Sequence, residues 1–226
     1  MSVEYSVISI GTLSRNRLWG ESVAIRTAHA TTTAVWDEHR LILVDPSLPA
    51  AAMGPVFNER TGKTLSAVTD VFCTTLRPVH RRSIRALTHA NWWVHEAELE
   101  SYRDKLKDLL EVAERAESED VDALDEDLKL LDRIRPAPEQ FGEGITVYPL
   151  AGATAGSAGL LLTPSTTTVV IAGDAAVTAE HILRGQVWDG CDDIEQAVRT
   201  MQDFLELADV IVPGHDNVML VPGRWL

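Results

Sequence analysis

Residues 71–83 read VFCTTLRPVHRRS. Val71, Phe72 and Cys73 form an apolar run of strand character, Thr74 and Thr75 end it, and Pro78 forces a turn before His80, Arg81 and Arg82 at a helix start. A buried strand that passes through a polar turn into a helix is the building unit of an α/β fold. Such a turn also places polar side chains at the edge of the sheet where ligands gather. Here that turn holds one histidine, His80.

The flanking sequence repeats the pattern. Upstream, YSVISIGTL (5–13), SVAIRT (22–27), TTTAVWD (31–37) and RLILVD (40–45) are short, rich in β-branched residues and bounded by turn residues, so each is expected to be a strand. Residues 49–66 have helical character, and a further strand is expected around Trp92 to Val94, with one of Trp92 and Trp93 facing inward and the other outward. From 99 to 135 the apolar period changes. Leu106, Leu109, Leu110 and Ala113, then Leu124, Leu128, Leu131 and Ile134, fall at helical spacing, and Pro136 and Pro138 close the segment. This predicts a helical insertion of two amphipathic helices, as a lid or as a packed pair. The last third returns to strands in ITVYPL (145–150), GLLLTP (159–164), TTTVVIAGD (166–174) and VIVPGHD (210–216), with a helix from about Asp192 to Leu207. One α/β domain spanning 1–226 is the expected organisation.

With 226 residues, 45% of them hydrophobic, the chain can bury a substantial core. Its formal charge of −14 repels both the phosphate backbone and anionic bilayers, which excludes nucleic acid and membrane as expected partners. Much of the acidity lies in ESEDVDALDEDL (117–128), read as a solvated helix face. No run approaches the roughly 20 apolar residues of a bilayer span, and the start MSVEYSVISIGTLS has no signal-peptide pattern. Cys73 and Cys191 form no CxxC pair, so a reducing, cytoplasmic setting is expected.

Three segments end apolar strands with side chains that can do chemistry: VFCTTLRPVH, VVIAGD and VIVPGHD. If their ends converge, His80, Asp174 and His215 supply two imidazoles and a carboxylate, a workable ligand set for Zn or non-haem Fe. Singly, each is more often a hydrogen-bonded structural residue or a turn residue. His29, His39 and His89 are expected to be structural or exposed, His95 to hydrogen-bond at a helix start, and His181 to face the mouth of a pocket. Arg81 and Arg82 either recognise an acidic ligand or are simply solvated.

In order along the chain, RLILVDPSLP, VFCTTLRPVH, LAGATAGSAGLLL, VVIAGDAAV and VIVPGHD resemble the segments of the metallo-β-lactamase fold superfamily, which includes glyoxalase II-like hydrolases. The resemblance spans nearly the whole chain. It implies a four-layer αββα sandwich with the active site at one edge of two packed sheets, and a structural role for Asp45. Matched to the family's HxHxDH motif, its histidine, histidine, aspartate and histidine fall on Thr75, Arg77, Val79 and His80. The histidine of the family's GHT segment falls on Ala153. Asp174 keeps the bridging aspartate and His215 the last histidine. The resemblance thus implies that the imidazoles of one metal are gone, and that the other metal lacks only the ligand at Val79.

Arg77 is then the decisive residue, because a guanidinium is a fixed cation that repels a dication and can pair with Asp174. The first reading is a protein with a degenerate metal site, probed through Thr75, Arg77, His80, Asp174 and His215, that acts in binding or a non-hydrolytic role on a small-molecule ligand. The alternative is a hydrolase of an ester-like small molecule with one metal on His80, Asp174 and His215. The cofactor expectation is accordingly none, or one divalent Zn or Fe. A non-haem iron oxygenase is a weaker third reading, and a homodimer is expected only by analogy with the family.

Overall fold

Residues 41–44 alternate so that Leu41 and Leu43 point to one side of a strand and Ile42 and Val44 to the other, and all four are buried. A strand buried on both faces needs a layer on each side. In a computed structural model describing residues 3–222, those layers are present. The first sheet runs in the order β1 (Glu4–Ser9), β2 (Thr32–Trp36), β3 (Leu41–Val44), β4 (Asp70–Phe72), β5 (Asn91–Val94), β6 (Arg135–Pro136). The second runs β12 (Met219–Leu220), β11 (Val210–Pro213), β10 (Val169–Gly173), β9 (Ala158–Leu162), β8 (Ile145–Pro149), β7 (Gln140–Gly142).

Between the sheets, Ile42, Val44 and Phe72 pack with Leu160, Leu162, Ile171 and Val212. On the outer side of the first sheet, Leu41, Leu43 and Val71 meet Met53 and Phe57 of α1 (Ala50–Thr61), Leu99 and Leu106 of α2 (Glu96–Arg115), and Leu131 of α3 (Val121–Leu131). On the outer side of the second, Val170, Ala172 and Ile211 meet Ile182 of α4 (Ala179–Leu183) and Met201 and Phe204 of α5 (Ile194–Leu207). The residues of one strand therefore divide between cores by parity, which is what generates an αββα sandwich. The helix α5 starts at an Asp193 cap, whose carboxylate accepts from the Gln196 amide at 2.9 Å.

β3, β4 and β5 pair in parallel, as do β10 and β11. The segments that follow β3, β4, β10 and β11 therefore open at one edge of the sandwich, which is where the polar residues collect.

Two expectations need correction. SVAIRT is irregular rather than a strand: Val23 is 64% and Ile25 60% exposed. β-branched composition favours extended backbone, but a strand forms only where a neighbour pairs with it. The two tryptophans do not divide into core and surface. Trp92 lies in the core beneath the helices, while Trp93 packs into the core between the sheets and donates to Asp70 Oδ1 at 2.7 Å. The alternation was right, but both faces of this sheet are covered. Among the described residues, no helix is long and apolar enough to cross a membrane.

Candidate active site

The site is built on Asp45, just past β3, whose φ of 49° lies in the left-handed region that a residue with a side chain enters at a cost. Its carboxylate shows why it stays there. Oδ1 accepts from the Thr74 amide at 2.8 Å, and Oδ2 accepts from the Thr74 hydroxyl at 2.7 Å and faces His80 Nδ1 at 2.9 Å. Asp45 thus staples the end of β3 to the 73–80 turn. His80 is fully buried, with its other nitrogen, Nε2, 3.1 Å from Asp174 Oδ1.

A neutral imidazole has one N–H and one lone pair, so it can donate to only one of two flanking carboxylates. Burial alone lowers an imidazole pKa. The charges of Asp174 and Asp45, with the hydrogen bonds to each, outweigh it and push His80 up to about 10. His80 is therefore an imidazolium that donates from both nitrogens. Burial alone raises Asp174, but the His80 charge and the hydrogen bonds of His215 and His80 hold it well below the usual carboxylate range.

Asp174 follows Gly173, which ends β10 at φ 53°. A Cβ at Gly173 would stand 2.3 Å from Thr74 Oγ1, so glycine is what lets the two strand ends approach. His215 enters after β11. Its Nδ1 faces the carbonyls of His29 and Thr12 at 2.9 and 3.1 Å, and its Nε2 lies 3.1 Å from Asp174 Oδ1. The two imidazole rings are nearly perpendicular, at 83°.

The second oxygen of Asp174 belongs to Arg77. Nη1 donates to Oδ2 at 3.0 Å, the pairing expected from the sequence. Nη2 donates to the carbonyls of Ala153 at 2.7 Å and Gly190 at 2.8 Å, and lies 3.4 Å from Asp192 Oδ1. The guanidinium also stacks on Trp188 at 4.8 Å. The outer face of the segment from Trp188 to Asp192 is held by Asp189, which pairs with Arg17 at 2.6 Å and Arg15 at 3.0 Å. Cys191 lies on this segment. Burial, then the charge of Asp174, pushes its thiol up to about 11, so it is not a thiolate at neutral pH.

The other candidates are placed as follows. Thr75 is buried and its hydroxyl accepts from the Arg77 amide at 3.2 Å, a local turn bond. Val79 lines a surface cleft with Arg82. His181 is buried, with Nδ1 2.7 Å from the Thr178 hydroxyl, and it lines a separate cleft with Arg17 and Val187. His95 precedes α2 without making the expected hydrogen bond, and its Nδ1 is buried with no partner.

Sequence reading missed the acceptors that hold Arg77, which are main-chain carbonyls and leave no residue-type signal. It also missed Glu98 on α2. This buried carboxylate accepts from the Leu76 amide at 2.8 Å and from the Thr154 hydroxyl at 2.6 Å, bracing both loops that flank Arg77.

His80, Asp174 and His215 present ligand atoms all within 4.8 Å of one another. With two sheets of this order and a His–Asp–His cluster at the edge where the parallel strands end, comparison with solved structures is decisive. A Thermotoga maritima protein assigned as a metallo-β-lactamase superposes with a TM-score of 0.69 at 18% identity, covering 97% of this chain and all of that one. The chain has the metallo-β-lactamase fold. The same fold is shared with AidC, a dizinc quorum-quenching lactonase solved with a homoserine product (TM-score 0.67, 14% identity, 100% of this chain and 92% of that one). It is shared also with a variant of AiiA from B. thuringiensis, solved with N-decanoyl-L-homoserine (0.64, 16%, 95% and 93%). No protein-family model matches the sequence, and no curated protein matches it. At these identities the metallo-β-lactamase likeness speaks for the fold alone.

Proposed function

We propose that this metallo-β-lactamase-fold protein works without a metal pair and acts by binding a small molecule, in a non-hydrolytic role, with Arg77 standing where an ion would otherwise balance Asp174. The observation that carries this reading is the division of the Asp174 carboxylate. Oδ2 pairs with Arg77, and Oδ1 faces both His80 and His215. The charges of Arg77 and the His80 imidazolium balance those of Asp45 and Asp174 without an added cation, which is what burial of charged groups requires.

The residues present do not fit two ions. Thr75, Arg77 and Ala153 offer no imidazole, Val79 offers no carboxylate, and a guanidinium lies on the oxygen that faces them. A second ion has no ligand set here.

One observation favours a second reading, a hydrolase of an ester-like small molecule with a single metal. His80 Nε2, Asp174 and His215 Nε2 are close enough to share one Zn or Fe. Such an ion would lower the pKa of a bound water. In that case Asp45 would fix the His80 Nδ1–H and the Thr12 and His29 carbonyls would fix that of His215, presenting both Nε2 lone pairs. Binding must first remove the His80 Nε2 proton and tolerate the Arg77 charge.

Elemental analysis of protein purified without chelator separates the two. The metal-free reading expects no stoichiometric metal, even after equilibration with Zn, Fe or Mn. About one equivalent that disappears in His80→Ala or His215→Ala overturns it. The double change Arg77→His with Val79→Asp should raise divalent-ion affinity; unchanged affinity would count against the placement of the motif on this turn.

A further inference from the structure

Between Val71 and His95 the chain has four arginines and no acidic residue, although its overall charge is −14. Arg77 is used in the site. The other three gather on a different face, around a groove of two adjoining clefts of about 400 and 280 Å³. Arg82 lines the first cleft, Arg133 the second, and both Arg85 and Leu130 line the two. Apolar surface comes from Pro78 and Val79 in the first, while Ile84 and Trp92 lie beneath the floor, 1% and 4% exposed.

The charges along this groove are unequally matched. Arg81 is bound by both oxygens of Asp127, at 2.7 and 3.1 Å, and Arg85 lies 3.6 Å from Glu126. Lys129 is paired with Asp125 and Glu126. Arg82 and Arg133 have no carboxylate partner among the described residues. Arg82 donates only to the Ala28 carbonyl at 3.0 Å. Arg133 donates to the carbonyls of Thr88 and Ala90, and its guanidinium stacks on Trp92 at 4.0 Å. Two exposed guanidiniums with donors to spare, beside the apolar surface of Pro78 and Val79, form a receptor for an oxyanion on an apolar body. The size is in the range of small-molecule pockets. The strongly acidic remainder of the protein would repel an anion elsewhere on its surface.

We propose that this groove binds an organic anion with an apolar body, its carboxylate or phosphate head held by Arg82 or Arg133 and its body along Pro78 and Val79. The site is separate from the Arg77–Asp174 centre and stands whether or not that centre holds a metal.

The fluorescent probe 1-anilinonaphthalene-8-sulfonate, an anion with an apolar body, tests it on the full chain. Saturable binding at one equivalent is expected, weakened by salt and displaced by decanoate or decyl phosphate but not by decyltrimethylammonium. The stronger of the two displacing anions tells which head group the groove prefers. Arg82→Ala with Arg133→Ala should weaken probe binding by about tenfold or more, as loss of charge-assisted hydrogen bonds implies. Val112→Asp, at the apolar cleft between α2 and α3 where the probe has a competing surface, should leave binding unchanged. Because Arg133 also covers Trp92, Arg82→Ala is measured alone as well, with circular dichroism to confirm the fold. Equal affinity in wild type and both arginine variants, equal displacement by the cation, or loss of binding in Val112→Asp would each overturn the proposal.

Discussion

The Arg77 guanidinium lies 3.0 Å from the Asp174 carboxylate, 97 residues further along the chain. This contact joins the turn after β4 to the end of β10, and so one sheet to the other across the edge of the sandwich. Asp174 is almost wholly buried while Arg77 keeps 20% of its side chain exposed. The pair is therefore a buried carboxylate served by a cation that reaches in from the rim.

Removing that cation should be costly. Arg77→Ala leaves Asp174 with one charge partner fewer and frees the Ala153 and Gly190 carbonyls, and a loss of about 3 kcal/mol is expected. Arg77→Lys should recover only part of it, since an ammonium cannot span three acceptors as the planar fork does. Urea unfolding of the three proteins measures this, and a lysine variant as stable as wild type would contradict the forked geometry.

The pH dependence follows from the two shifted groups. His80 has its pKa raised to about 10 from an ordinary 6.5, so the stability it contributes is complete below about 6.5 and is lost as pH rises through 10. Asp174 is held below its ordinary 3.8, so its contribution is present above that value and is lost as pH falls through the folded value. Metal-free protein should therefore weaken on the alkaline side as pH rises from about 6.5 through 10, and His80→Gln should flatten that limb. Imidazole nitrogen shifts give a direct reading: His80 should stay doubly protonated through neutral pH.

Glu98 offers a test remote from the centre. Glu98→Ala deprives the Leu76 amide and the Thr154 hydroxyl of their acceptor inside the core, at about 1–3 kcal/mol for each group left unpaired. Its effect should extend to the centre, since the two loops it braces carry Arg77 and Ala153. A shift of the His80 imidazole resonances in this variant is the expected sign; unshifted resonances would reduce Glu98 to a local brace.

Gly173 is the narrowest point. Gly173→Ala meets a left-handed backbone and a Cβ 2.3 Å from the Thr74 hydroxyl, so Asp174 and Thr74 must move apart. Strain of about 1–3 kcal/mol is expected from the backbone alone, with weaker Asp45–Thr74 bonds as its structural trace. A variant as stable as wild type, with Asp174 unmoved, would show that the strand ends have room.

The elements could be read in the chain because hydrophobic periodicity is local. The apolar runs in RLILVD and TTTVVIAGD and the helical spacing from Leu99 to Ile134 carry an α/β domain with a helical insertion before any contact is known, while the αββα layering is implied by the resemblance of the ordered segments to the metallo-β-lactamase fold. The same locality misled at SVAIRT, where extended propensity found no pairing strand, and at Trp93, where alternation could not tell that a second sheet covers the other face. His80, Asp174 and His215 could be named from their place after apolar runs. Their protonation and partners could not, since these depend on Asp45 and Arg77 arriving from elsewhere in the chain.

What the sequence decides is which side chains exist: a guanidinium at Arg77, one histidine in the turn, and no imidazole at Thr75 or Ala153. What folding alone decides is where the charges settle. Only the packed sheets place Asp174 between an arginine and two imidazoles, and put His80 between two carboxylates where burial would otherwise strip its proton. Electrostatic balance depends on distance and burial across the whole molecule, neither of which is written in any one segment.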